Sequence, residues 1–121
     1  MGTNKVREVT AQEFGTLIAG ERPVLADFYG TWCGPCKAME PVVERLAERF
    51  DGRAEIVKVN IDNSPDLAAA YGVRGVPTFL FFVGGKAIDR AVGAQSEHTL
   101  AALVEPHVAE TVASPEPVQA A

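Results

Sequence analysis

Two cysteines, Cys33 and Cys36, stand three positions apart in Trp32-Cys33-Gly34-Pro35-Cys36, and the chain holds no others. Disulfide exchange needs a thiolate to attack a sulfur and a second thiol near enough to resolve the mixed disulfide. A pair at this spacing meets both needs when it opens a helix. Free amide donors and the positive end of the helix dipole then stabilise the first thiolate. Cys33 follows directly on an apolar run that ends at Tyr29, so it is the expected nucleophile. Cys36 lies one turn further on and is the expected resolving thiol, and the more buried of the two.

Two other uses of the pair compete. A structural disulfide closing so short a loop would stabilise by only ~2 kcal/mol on the chain-entropy model. A zinc site needs four ligands. Beyond the cysteines only His98 and His107 remain, both on or past the last expected helix and off any ligand spacing. They read as surface residues, and no metal is expected.

The elements that must carry the pair follow from the apolar pattern. Val6–Val9 reads as a short strand. Thr10 and Glu13 form a capping box for a helix with Phe14, Leu17 and Ile18 on one face, stopping at Gly20. Val24–Tyr29 is a buried strand. The helix after the cysteines presents Met39, Val42, Val43, Leu46, Ala47 and Phe50 in a stripe, with Pro41 inside it as a predicted kink. Residues 54–61 form a strand. Ser64 caps, and Pro65 opens, a short helix through Tyr71 that Gly72 closes. Thr78–Val83 and Lys86–Val92 are strands joined by a Gly84-Gly85 hairpin. Ser96 caps a last helix carrying Leu100, Leu103 and Val104, which Pro106 should kink or end early.

The predicted order is β-α-β-α-β-α-β-β-α, an α/β domain. Strand–helix–strand units favour parallel pairing, while the hairpin forces an antiparallel pair. One mixed sheet with helices on both faces is the expected result.

With 121 residues, 47% of them hydrophobic and 22% charged, the chain has the size and composition of one folded domain. That domain is expected over residues 1–110, with 111–121, which hold Pro115 and Pro117, as a disordered tail. A net charge of −5 without a basic run argues against nucleic acid. No stretch approaches the ~18 apolar residues that span a bilayer. Met1–Arg7 lacks the apolar segment of a signal peptide, and a cytoplasmic location is the expectation.

Phe28-Tyr29-Gly30-Thr31-Trp32-Cys33-Gly34-Pro35-Cys36-Lys37, followed by Pro41, resembles the active-site segment of the thioredoxin family. The likeness continues through Val57–Asp62, Val73-Arg74-Gly75-Val76-Pro77-Thr78, Gly84-Gly85-Lys86 and Val92-Gly93-Ala94, in family order from roughly residue 5 to 107. The resemblance implies a thioredoxin fold, a central mixed five-stranded sheet flanked by four helices. It also implies a protein-disulfide reductase of diverse disulfide-containing targets, acting as a monomer. No cofactor would be bound. Reducing equivalents would come from NADPH through a flavoprotein thioredoxin reductase.

Residue roles follow by position. Asp27, the odd residue in an apolar strand, matches a buried carboxylate thought to take the proton of Cys36; the alternative is a merely hydrogen-bonded structural group. Burial raises a carboxylate's pKa and suits it to that task. Lys58 matches a lysine that moderates Asp27 by opposite charge, or is an ordinary solvated strand residue. Val76-Pro77 matches the family's cis-proline, whose preceding backbone would pair with an extended target by strand addition. Trp32, Gly34, Pro35, Gly75, Val92, Gly93 and Ala94 match the apolar rim that receives substrate.

The sequence departs from the family at Tyr29, where a second tryptophan is frequent, and at Gly30, where alanine is common. Gly34-Pro35 offers no side-chain donor to the thiolate, so a reducing poise near that of thioredoxin, about −270 mV, is implied. An oxidase or isomerase on the same fold, or a non-catalytic binding module using the same groove, are the alternatives.

Overall fold

The computed structural model describes residues 6–113 of the chain, with side chains through Val108. Its elements are β1 (Arg7–Glu8), α1 (Ala11–Ile18), β2 (Val24–Tyr29), α2 (Gly34–Arg49), β3 (Glu55–Asn60), α3 (Pro65–Ala70), β4 (Thr78–Val83), β5 (Lys86–Val92) and α4 (Glu97–Ala113). The strands form one sheet in the order β1-β3-β2-β4-β5. The β1–β3 and β2–β3 pairs are parallel; β2–β4 and β4–β5 are antiparallel. The expected mixed five-stranded sheet with four helices is therefore what the chain forms.

Alternation along β2 builds two cores. Val24, Ala26 and Phe28 join Val57, Val59, Leu80 and Phe82 under Phe14 of α1 and Leu67 of α3. Leu25 joins Ile56, Phe79 and Phe81 beneath α2 and α4, which contribute Met39, Val43, Leu46, Leu100 and Val104 among others. A pleated strand sends successive side chains to opposite faces, so β2 is buried from both sides.

Local signals mostly hold. Thr10 Oγ1 accepts the Glu13 amide while Glu13 Oε1 accepts the Thr10 amide, the full capping box. Ser96 Oγ accepts the Thr99 amide. Gly84 and Gly85 have φ of +62° and +84°, the left-handed pair that a two-residue hairpin of this twist demands.

Other expectations are corrected. Ser64 is buried and makes no side-chain cap, so α3 starts on Pro65 alone. Pro41 lies inside α2 as expected, whereas α4 does not end early at Pro106 but runs on past it. Each is on an exposed position, and so are Lys37 and Ala102, whose carbonyls lose the amide partner; water can satisfy them there. The helix α4 runs on through residues 111–113, where the sequence predicts the start of a tail; residues 114–121 lie outside the described residues. His107 is not the surface residue the sequence suggests: it is half-buried against the Phe81 ring, 5.4 Å between centroids, whereas His98 is exposed.

Candidate active site

From its place in the middle of the sheet, β2 delivers Gly30, Thr31 and Trp32 to the start of α2. Cys33 is the N-cap of that helix, held by a bond from its own amide to Gly30 O at 3.2 Å. Its Sγ accepts the Cys36 amide at 3.1 Å. A reactive sulfur thus takes the place a Ser or Thr oxygen usually fills. No acidic residue lies in the first turn of α2, so nothing there competes with a thiolate for the positive helix end.

Cys33 and Cys36 are joined as a disulfide, with Cα atoms 5.3 Å apart. The spacing predicts that Cys36 is the deeper of the two. In this oxidised form they are equally buried, at 5% and 4% exposure, because one bond ties both sulfurs to the same level.

Three loops meet around the pair. The Val76–Pro77 peptide is cis, and Val76 O lies 3.7 Å from Cys33 Sγ. Thr78 Oγ1 donates to Gly75 O, and the Gly93 amide donates to Pro77 O, tying this segment to the end of β5. Gly34, Pro35, Gly75, Val92 and Ala94 are exposed, Val76 and Gly93 half-exposed, and Pro77 is buried. The Trp32 indole is 64% exposed, so it is rim and not core.

The indole is nevertheless anchored. Its Nε1–H donates to Asp62 Oδ2 at 2.9 Å, and the Asp62 amide donates to Asn60 Oδ1. A Cβ at Gly30 would stand 2.6 Å from Trp32 Cε2, well inside contact distance. The departure to glycine at this position is what lets the indole lie where it does.

Asp27 is 6% exposed, and its Oδ1 has no hydrogen-bond partner among the described residues. Its pKa is raised from 3.8 to about 7: burial raises it most, the nearby Lys58 ammonium pulls it down, and Glu40 adds to the rise. Lys58 is the β3 residue paired with Asp27, half-exposed, with Nζ 5.4 Å from the centre of the Tyr29 ring. The Tyr29 hydroxyl in turn donates to Glu8 Oε1, and burial and that bond push its pKa up. Glu8 and Glu40 carried no signal in the sequence beyond their types, and Asp62 only as the end of a family-like block; each reaches the site through a contact between distant segments. A groove of about 620 Å³ beside α1 includes none of these residues.

The chain matches the thioredoxin family model over residues 5–106. It is 40% identical over 105 residues to a thioredoxin of Chlorobaculum thiosulfatiphilum, covering 86% of this chain and 97% of that protein. It is 44% identical over 92 residues to thioredoxin 1 of a Nostoc species, covering 76% and 86%. Among solved structures, a single-substitution mutant of a thioredoxin from Halobacterium salinarum superimposes with a TM-score of 0.77 at 40% identity, covering 89% of this chain and 96% of that one. With its cysteine pair closed at the start of α2 and these relatives matched over nearly their whole length, the chain belongs to the thioredoxin family and is a thiol–disulfide oxidoreductase.

Proposed function

We propose that the protein reduces disulfides in other proteins by way of a mixed disulfide. One observation carries the reading: Cys33 Sγ sits at the N-cap of α2 and accepts the Cys36 amide, a setting that stabilises a thiolate on Cys33 alone. The Cys33 thiolate attacks a target disulfide, forms the intermolecular S–S bond and expels one target thiolate. Cys36 then gives its proton to Asp27, directly or through water, and attacks Cys33 Sγ. The second target thiolate leaves, and two electrons have passed from the dithiol to the target. Asp27, buried and with a pKa raised to about 7, is a base of suitable strength for that proton near neutral pH. Lys58 keeps it from being too strong.

The target docks as an extended segment along the backbone before Pro77, against the rim of Trp32, Gly34, Pro35, Gly75, Val92, Gly93 and Ala94. A shallow rim around a sulfur pair suits varied protein surfaces. Regeneration requires a reductant for Cys33–Cys36, assigned to NADPH through a flavoprotein thioredoxin reductase. Such a reductase system works in the cytoplasm, where thiols are kept reduced. The working unit is a monomer of residues 1–110.

Insulin reduction by dithiothreitol, followed by turbidity, tests the reading. The protein should accelerate it, and Cys33→Ser should not. Cys36→Ser should accumulate mixed disulfides with targets on gels run without reductant. Trapping by Cys33→Ser instead would reverse the two roles, and no acceleration by the unaltered chain would leave a binding module or an oxidase.

A further inference from the structure

Between β2, β3 and α2 lies a small space. A cavity of about 70 Å³ is lined by Val6, Asp27 of β2, Lys58 of β3, and Glu40, Val43 and Glu44 of α2. That volume exceeds the roughly 10–15 Å³ one water requires. Asp27 lines it with an oxygen that no group among the described residues satisfies. Cys36, Glu40 and Glu44 fall at four-residue spacing on α2, so the resolving thiol and both carboxylates share one helix face. Among the described residues, the titratable groups that share the cavity with Asp27 are Lys58 from β3 and Glu40 and Glu44 from α2; Tyr29 lies two residues on along its own strand, and the β4 residue paired with Asp27 is Phe79. Of the two glutamates, Glu40 is the one whose charge acts on Asp27.

We propose that Glu40 is a positioning residue for the proton acceptor: from the rim of the shared cavity its carboxylate holds the proton on Asp27 against the pull of Lys58. This rests on the reading of Asp27 as the acceptor of the Cys36 proton. Burial makes Asp27 reluctant to ionise, and a cation on one side would cancel much of that reluctance. An anion on the other side restores it, so the exposed Glu40 helps set the pH at which the buried acid releases its proton. No covalent change falls on Glu40.

The test is the pH titration of the Asp27 carboxyl in the oxidised full chain, read by carbon-13 NMR. Glu40→Gln removes the anion, favours ionised Asp27, and should move its midpoint down by roughly half a pH unit, as expected for one partly screened charge. Glu40→Asp keeps the charge and should recover most of the shift. Lys58→Gln should move the midpoint the other way. A midpoint unmoved by Glu40→Gln, or one that Glu40→Asp moves just as far, overturns the proposal.

A second readout is the pH dependence of target release from a preformed Cys33 mixed disulfide. Glu40→Gln should shift its acid limb down in the otherwise unaltered chain and do nothing in an Asp27→Asn background. A shift that persists without Asp27 means that Glu40 acts on some other group, and the proposal fails. If Asp27→Asn by itself leaves the release rate unchanged, the acceptor reading fails instead, while the effect of Glu40 on the Asp27 titration still stands.

Discussion

The two faces of β2 are built from adjacent residues and do opposite things. Toward α1 and α3 the strand presents Val24, Ala26 and Phe28 to a core closed by aromatic edges: Phe14 meets Phe28, Tyr71 and Phe82 in T-shaped pairs at 5.1–6.1 Å. Toward α2 and α4 it presents Leu25 and then Asp27, beside a small cavity and a lysine. One face buries only what water rejects. The other interrupts its own core with a buried carboxylate, and the free energy for that interruption comes from the packing on the first.

The sharpest way to break the comparison is to cut into both faces of the strand. Phe28→Ala removes a fully buried ring and should cost about 3–5 kcal/mol in a urea melt. That loss should be the same at pH 5 and pH 8, because no titrating group touches it.

Asp27→Asn, one residue away, should act with the opposite sign. The folded pKa of Asp27, about 7, lies above its ordinary 3.8. The stability tied to the neutral acid is thus fully present below about pH 4 and is lost as pH rises through 7. A rise from 3.8 to about 7, at 1.36 kcal/mol per pH unit, bounds that loss at about 4 kcal/mol, and any relaxation around the ionised carboxylate reduces it. The oxidised Asp27→Asn protein should therefore be more stable than the unaltered one by about 2–3 kcal/mol at pH 8, with the gain vanishing at pH 4. A loss of stability at pH 8 would mean that the second face tolerates the carboxylate at no cost.

Most of this contrast could be read in the chain before folding. Val24–Tyr29 shows five buried positions with one charge among them, and a charge in such a run has either a partner or a task. The capping box, the glycine hairpin and the stripe of α2 are local patterns, and local patterns survive in a sequence. What stayed hidden was long-range. Asp62 and Trp32 are bonded across thirty positions. Glu40 was one more solvated helix residue until β2 and β3 were set against it. Gly30 could be noticed as a departure, yet its reason is the volume of a neighbouring indole. Pro106 misled for a related reason: α4 does not end there, and the proline sits on an outer face where water can reach the carbonyl it orphans.

The helix starts extend the comparison at lower energy. α1 is capped by Thr10 through two reciprocal bonds and has only a structural task. α2 is capped by Cys33, whose sulfur must leave that position to react. Thr10→Ala should cost about 1 kcal/mol. Its insulin-reduction rate should be unchanged at temperatures where it is folded. A proportionate fall in activity would show that the aromatic face positions the site as well as supporting it.

The smallest effect should lie at the outer edge of the second face. There α2 and α4 are linked by Arg45 and Arg49 to Glu97, and by Arg49 to Glu105. The first face is closed by rings and has no such links between α1 and α3 in the described residues. Glu97→Gln removes two of the three contacts at once. All four side chains are 30–55% exposed, so solvent screens them, and the cost should stay below about 1 kcal/mol. In 1 M salt, where the screening length falls to about 3 Å, even that difference should disappear. A loss above about 2 kcal/mol, or one that salt leaves intact, would mean that the ion pairs act as a buried network. The face that carries the carboxylate would then be held by charge at its edge as well as by apolar packing beneath, and its stability would fall with salt where that of the aromatic face does not.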